Sequence, residues 1–360
     1  MNSIVSKDMQ SLIQNFKYTE NLKNKTILVT GATGLIAKYF TYFLLELNKY
    51  YNTNIKVIAL VRNLEKAKKC FSSYQNNNNL YFLHQDVCEP IKISDDIDFI
   101  FHAAGSASAT SIKSNPTGII KANTIGTINV LELAKEKKVK KVLFTSTREI
   151  YGKVDEIEKI TETDMGVVNP LDSRACYPES KRIAESILQS YYTQYQVPFN
   201  SLRIAHTYGP TMEINNDGRV MADFVGAIVN NQDIVLNSDG TAIRSFCYIT
   251  DTINGIMDIL VKGENAKAYN LANETEPYMI KDVAKMLTTL FPEKNLKVKF
   301  SNPSDEVKKG YLNYKITKLD TSALESLGWK PNVKLSEGLQ RTVISIEEEL
   351  DINKEKRLAR

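Results

Sequence analysis

The sequence predicts an α/β chain: a doubly wound parallel sheet followed by a smaller C-terminal α/β lobe. Three observations carry this. Short apolar runs of strand character alternate with stretches at helical spacing. The first such run leads straight into a glycine turn that opens a helix, Thr30 to Ala37. After Pro210 the elements become shorter and less regular.

Residues 3–16 set Val5, Met9, Leu12, Ile13 and Phe16 on one helical face, predicting an N-terminal helical extension over 1–23 that covers the core or a neighbouring copy. Thr26–Val29 reads as the first strand, Leu35–Leu47 as its helix, Ile55–Val61 as the second strand, and a helix starts at Leu64. Asn76–Asn79 is a loop. Leu80–Leu83, Asp98–His102 and Lys141–Thr145 continue the strands, with a helix through Ile119–Ala134. The parallel domain is expected over 24–205. The smaller lobe is expected mainly over 206–350, with helices at Ile280–Leu290 and Leu335–Leu350 and some segments returning to the first domain. Residues 351–360 read as a solvated tail.

The chain has 360 residues, 42% hydrophobic and 24% charged, enough for a sizeable core. Its 46 Lys+Arg and 42 Asp+Glu are dispersed and leave a net charge of +4, so no basic stripe points to nucleic acid. The apolar stretch around Phe43-Leu44-Leu45 stops at Glu46, far short of the roughly 20 residues a membrane helix needs. The first 25 residues lack the continuous apolar core of a secretory signal. Cys70, Cys88, Cys176 and Cys247 form no CxxC pair and have only three histidines for company, which suggests free thiols in a reducing cytoplasm and no metal site.

Gly31 and Gly34 of the turn allow close approach of backbone to a pyrophosphate. The helix start at Thr33, Leu35 and Ile36 adds N–H groups and partial positive charge. This is the Rossmann-type arrangement for a dinucleotide. The acid that would hold a ribose 2′-hydroxyl after the second strand is absent; Arg62, with Lys66, suits the 2′-phosphate of NADP, while Asn63 suits the plain ribose of NAD. Asp86 and Val87 follow the third strand, facing the adenine. Ala103, Ala104 and Gly105 follow the fourth, small where the cofactor passes close.

Tyr177 and Lys181 are four apart, hence on one helix face. A cation about 4 Å from a phenol favours phenolate by roughly 4 kcal/mol, about three pKa units. The fifth strand ends in Thr145-Ser146-Thr147-Arg148-Glu149, bringing hydroxyls to the carboxyl edge of the sheet, where ligands bind.

These residues resemble the extended short-chain dehydrogenase/reductases of the nucleotide-sugar epimerase/dehydratase family. Further resembling stretches are Arg203–Pro210, Asn216–Val220, Arg244–Asp251 and Leu327–Pro331, so the likeness covers about 24–345. The Ala175–Arg182 and Asn216–Val220 stretches most resemble UDP-glucuronate decarboxylases of the UDP-xylose synthase type. The resemblance implies NAD as cofactor, with NADP not excluded, a nucleotide-sugar substrate, a homodimer and a place in polysaccharide biosynthesis.

Tyr177 is then the base at the sugar C4 hydroxyl, Thr147 its hydrogen-bond partner, Lys181 the group that holds the nicotinamide ribose and acidifies the tyrosine, and Glu149 the carboxylate near C5. Arg219 and Arg244 face the diphosphate. Two positions depart from the family. Arg148 stands where dehydratases carry Asp and decarboxylases usually Ser; it holds a sugar carboxylate if it points inward and is a surface charge if it points outward. His206 replaces an Asn at a substrate-phosphate position. The implied reaction is decarboxylation of a UDP-hexuronate through a 4-keto sugar. The alternatives are a C4 epimerase or 4-ketoreductase and, in another class, a non-catalytic dinucleotide sensor.

Overall fold

The computed structural model describes residues 1–154, 157–215, 217–301 and 318–358, with side chains up to residue 352. Asn216 of the Asn216–Val220 stretch and the end of the expected tail lie outside the described residues.

Seven strands form one sheet: β1 (Thr26–Thr30), β2 (Lys56–Val61), β3 (Leu80–His84), β4 (Phe99–His102), β5 (Lys141–Thr147), β6 (Phe199–Ile204) and β7 (Lys267–Leu271). Their order is β3-β2-β1-β4-β5-β6-β7, and every neighbouring pair is parallel. Parallel strands need crossovers, and helices supply them on both faces. Alternate residues of β1 therefore enter different cores. Ile27 and Val29 pack with α2 (Leu35–Tyr51), whereas Leu28 packs with the face formed by α3 (Pro116–Lys137) and α4 (Cys176–Tyr195). The sheet order reverses between β1 and β4, which opens a crevice at their carboxyl ends.

Beyond β6, short strand pairs build the smaller part. Thr207–Tyr208 pairs with Cys247–Tyr248, Ile243–Arg244 with Tyr278–Met279, and Ile234–Leu236 with Val298–Phe300. The last helix, expected to stop at Leu350, runs from Leu335 to Leu358. Among the described residues no helix is long and apolar enough to cross a membrane.

The N-terminal helix α1 (Ser3–Gln14) starts at Asn2, whose side chain accepts the Val5 N–H at 2.9 Å. Val5, Met9, Leu12 and Ile13 are buried as their spacing predicts, and Phe16 sets its ring edge against Phe43. Asp8, which hydropathy would put outside, is fully buried on the same face. It accepts hydrogen bonds from Tyr39 (2.8 Å), Tyr248 (2.7 Å) and Arg341 (3.0 Å). One carboxylate thus ties the N-terminal helix to α2, to the smaller part and to the last helix. Removing it leaves two buried phenols without their acceptor, while the partly exposed Arg341 keeps Glu337. Asp8→Ala should lose about 3 kcal/mol of stability, seen as a lower melting temperature; melting together with wild type would show that this junction carries no stability.

Candidate active site

A continuous cleft of about 2000 Å³ runs along the carboxyl edge of the sheet. Every residue singled out from the sequence for cofactor or substrate lines it except Arg244. Gly31 sits at φ +64°, and a Cβ there would lie 2.6 Å from the Ala103 carbonyl oxygen, so only glycine fits between the two turns. Gly34 begins α2 without a side-chain cap, so the helix start offers its N–H groups to a ligand. Ser146 contributes a buried hydroxyl that has no partner among the described residues. Small floor residues, an uncapped helix start and an unsatisfied hydroxyl in one crevice fit a dinucleotide. Arg62 and Asp86 are both in place, and their charges face each other at 3.9 Å, so Arg62 does not stand as an uncompensated cation for a 2′-phosphate.

A buried chain of hydrogen bonds joins this turn to the helix bearing Tyr177. The Thr30 hydroxyl oxygen accepts the N–H groups of Ala103 and Ala104, each at 3.1 Å. Its own hydrogen therefore goes to His102 Nδ1 at 2.8 Å. His102 is then protonated at Nε2, which donates to Thr127 Oγ1 at 3.1 Å, and Thr127 donates to the Asn123 carbonyl at 2.5 Å. Asn123 Nδ2 donates to Ser180 Oγ at 2.8 Å, and Ser180 donates to the Tyr177 carbonyl at 3.0 Å. Burial first, and then the Lys181 charge, push His102 down to about 3, so the ring stays neutral and the tautomer fixed.

Tyr177 and Lys181 are both buried on α4. The Thr147 hydroxyl oxygen accepts the Glu149 N–H at 3.2 Å and donates its hydrogen to the Tyr177 phenol, an interaction that favours phenolate. The acidifying effect expected of Lys181 is not what this geometry delivers. Its Nζ donates to the Thr145 carbonyl at 2.6 Å and lies 4.4 Å from the Phe144 ring centre. Burial, followed by the Glu149 charge, raises the phenol above its ordinary value. Burial also pushes Lys181 down to about 7, because its partners there are neutral. Helical spacing sets a shared face; it does not set which atom a long side chain reaches.

On the substrate side, Arg148 lines the cleft. Glu149 meets neither Arg148 nor Arg244 in an ion pair; Arg174, which the sequence did not single out, holds its two carboxylate oxygens at 3.3 and 3.4 Å. Arg219 reaches the cleft with one edge already committed to Asp217, Nε at 2.5 Å and Nη2 at 2.9 Å. His206 lines the cleft, and its Nδ1 lies 3.1 Å from the Ser245 carbonyl. Arg244, expected at the diphosphate, is not among the lining residues. Its strand pairs with Tyr278–Met279, its Nη1 donates to the Ile243 carbonyl at 2.8 Å, and only its charge is felt at His206. The missed residues, Arg174 and Asp217, each sit close in sequence to a group that was found, but the carboxylate–guanidinium match shows only in three dimensions.

Residues 27–272 match the NAD dependent epimerase/dehydratase family. UDP-glucuronic acid decarboxylase 6 of Arabidopsis thaliana is 34% identical over 332 residues, 92% of this chain and 91% of that one. UDP-glucuronic acid decarboxylase 1 of Xenopus tropicalis is 31% identical over 335 residues, 93% of this chain and 75% of that one. Among solved structures, the UDP-glucuronic acid 4-epimerase of Bacillus cereus, in complex with UDP-glucuronic acid and NAD, superposes with a TM-score of 0.74 at 23% identity, covering 90% of this chain and 99% of that one. The fold is therefore shared with nucleotide-sugar enzymes, and the sequence likeness runs along nearly the full chain. On those two grounds the chain belongs to the NAD dependent epimerase/dehydratase family.

Proposed function

We propose that the chain is an NAD-dependent enzyme that decarboxylates a UDP-hexuronate by way of a 4-keto sugar. The observation that carries this reading is the Thr147-bonded Tyr177 phenol on a cleft wall shared with Arg148 and Arg219, in a chain whose relatives of 34% identity are UDP-glucuronic acid decarboxylases.

Bound NAD supplies a hydride acceptor that returns the same hydride later in the turnover. Tyr177, as phenolate, takes the proton of the sugar C4 hydroxyl, and Thr147 stabilises that phenolate by donating to it. The resulting C4 ketone stands β to the C6 carboxylate. The bond from C5 to that carboxylate breaks with its electrons left on C5 as an enolate, and CO2 departs. C5 then takes one proton that originates in solvent, and Glu149, braced by Arg174, is the carboxylate proposed to orient the water that delivers it. Tyr177 gives its proton back to the C4 oxygen as the ketone is reduced. Arg148, with a guanidinium that stays charged at neutral pH, serves to hold the hexuronate carboxylate rather than to donate a proton. Lys181 holds the cofactor ribose.

The homodimer implied by the family resemblance is also proposed here. Ile120 and Ile128 on α3 and Ile183 on α4 are 43%, 39% and 49% exposed, leaving apolar side chains on the two helices through which the family resemblance implies pairing. Light scattering should give about 81 kDa, twice the 40.7 kDa chain; a 41 kDa species at micromolar concentration would argue for a monomer.

NAD-loaded protein given UDP-glucuronate should release CO2 without accumulating NADH, and Tyr177→Phe should slow this about 10²- to 10⁴-fold while still binding NAD. Full NAD occupancy with no CO2 from UDP-glucuronate removes the decarboxylase reading, and stoichiometric consumption of reduced cofactor points to a ketoreductase.

The Lys181 shift predicts a pH effect in the cofactor-free protein. The folded chain releases this proton near 7, whereas the unfolded chain holds it to about 10.5. Between those values the unfolded state binds more protons, so stability rises with pH. Chemical denaturation from pH 7 to 10 should show a shallower rise for Lys181→Met than for wild type; parallel curves would mean that Lys181 keeps its proton in the folded chain.

A further inference from the structure

His206 lies just beyond β6, in the left-handed region at φ +45°, where His is among the better-tolerated side chains. The segment 245–247 clamps it from three directions. Its carbonyl accepts the Cys247 N–H at 3.2 Å, its ring stands 5.7 Å from the Phe246 ring centre, and Nδ1 is 3.1 Å from the Ser245 carbonyl. Ser245 is itself braced, its hydroxyl donating to Glu274 at 2.7 Å.

A carbonyl oxygen can only accept, so Nδ1 must carry the hydrogen. Burial first, and then the charges of Arg148, Arg244 and Arg219, push the ring down to about 3, so a second ring proton is excluded near neutrality. The imidazole is therefore neutral, and its Nε2 is a lone pair. An ionised phosphate offers acceptors only and cannot bond to that nitrogen, whereas guanidiniums close by can take the anionic groups. The register places the reacting centre next to this position: Ile204, two residues earlier, pairs with Thr147, the hydrogen-bond partner of Tyr177.

We infer that His206 Nε2 accepts a hydrogen bond from a hydroxyl of the substrate's sugar ring, making His206 a residue that selects the glycosyl part of the nucleotide sugar and not its diphosphate. The inference deepens the proposed function and rests on it for the identity of the sugar nucleotide.

The test uses the full-length, NAD-loaded protein. With three histidines in the chain, nitrogen-15 NMR can assign each ring. His206 should show the Nδ1–H tautomer without titrating between pH 5 and 8; an imidazolium, or an Nε2–H ring, overturns the inference whatever the substrate is. Calorimetry then compares UDP with UDP-glucuronate. His206→Phe should weaken UDP-glucuronate about tenfold, the worth of one hydrogen bond, and leave UDP unchanged. His206→Asn, which tolerates the left-handed backbone and keeps an accepting oxygen, should recover part of the loss and guards against a misfolded Phe variant. An equal loss for UDP and UDP-glucuronate would assign His206 to the phosphates and overturn the inference. Wild type that binds UDP-glucuronate no better than UDP would instead break the hexuronate reading, with the tautomer result still deciding the ring's role.

Discussion

The hydroxyl of Thr30 is the fixed point of this site. It takes two backbone N–H groups from the turn after β4 and must therefore give its only hydrogen to His102. That constraint fixes the His102 tautomer and with it the bond to Thr127, and further bonds at Asn123 and Ser180 carry the contact on to the carbonyl of Tyr177. The turn that forms the cofactor floor and the helix that carries the phenol are thus held in one rigid frame. Each bond is modest alone, about 1 kcal/mol net. Together they hold buried polar groups that would be costly to leave unmatched, although Asn123 Oδ1 has no partner among the described residues.

The charges facing the cleft follow a related logic. Burying an ion without a partner is costly, and Glu149 and Arg219 each face an opposite charge supplied by the chain itself, Arg174 and Asp217; the exposed Arg62 faces Asp86 only across 3.9 Å. Pairing also fixes orientation, so a ligand meets preset edges and not mobile side chains. Lys181 is treated differently. With a carbonyl and an aromatic ring for partners its ammonium is poorly compensated, which is why its proton is held loosely. Tyr177 is poorly compensated in the opposite sense, burial and the Glu149 charge opposing its ionisation. Burial thus shifts both groups away from their charged forms, Tyr177 upward and Lys181 downward.

What the sequence showed and what it hid differ in physical kind. β1 to β5, the glycine turn and the Tyr177–Lys181 face were legible because each is a local pattern, a run of apolar residues or a fixed spacing. β6 is buried yet carries Asn200, Ser201 and Arg203, polar residues that interrupt the apolar run. Glu185 takes the Ser201 hydroxyl and the Arg203 guanidinium, and the Glu264 carbonyl takes Asn200 Nδ2, partners that no local window contains. β7 joins the sheet from 63 residues further along the chain, between Ile204 and Lys267. Asp8 was hidden for the same reason: its three donors come from positions 39, 248 and 341. Arg244 was located by a motif stretch, but its strand pairing with Tyr278–Met279 lay outside that stretch, and its charge reaches the cleft through His206.

The two buried histidines show why residue type alone could not settle the site chemistry. Both are held neutral, chiefly by burial. At His102 the neighbour on Nδ1 is a hydroxyl whose lone pairs are already engaged, so that nitrogen accepts and Nε2 donates. At His206 the neighbour on Nδ1 is a carbonyl, so that nitrogen donates and Nε2 is left to accept. The same ring thus adopts opposite tautomers about its two nitrogens. At His102 both ring nitrogens are engaged within the scaffold, whereas His206 lines the cleft with one nitrogen left to accept. A neutral ring nitrogen of this kind discriminates between ligands by where they carry hydrogen, a property that neither the net charge of the cleft nor its volume expresses.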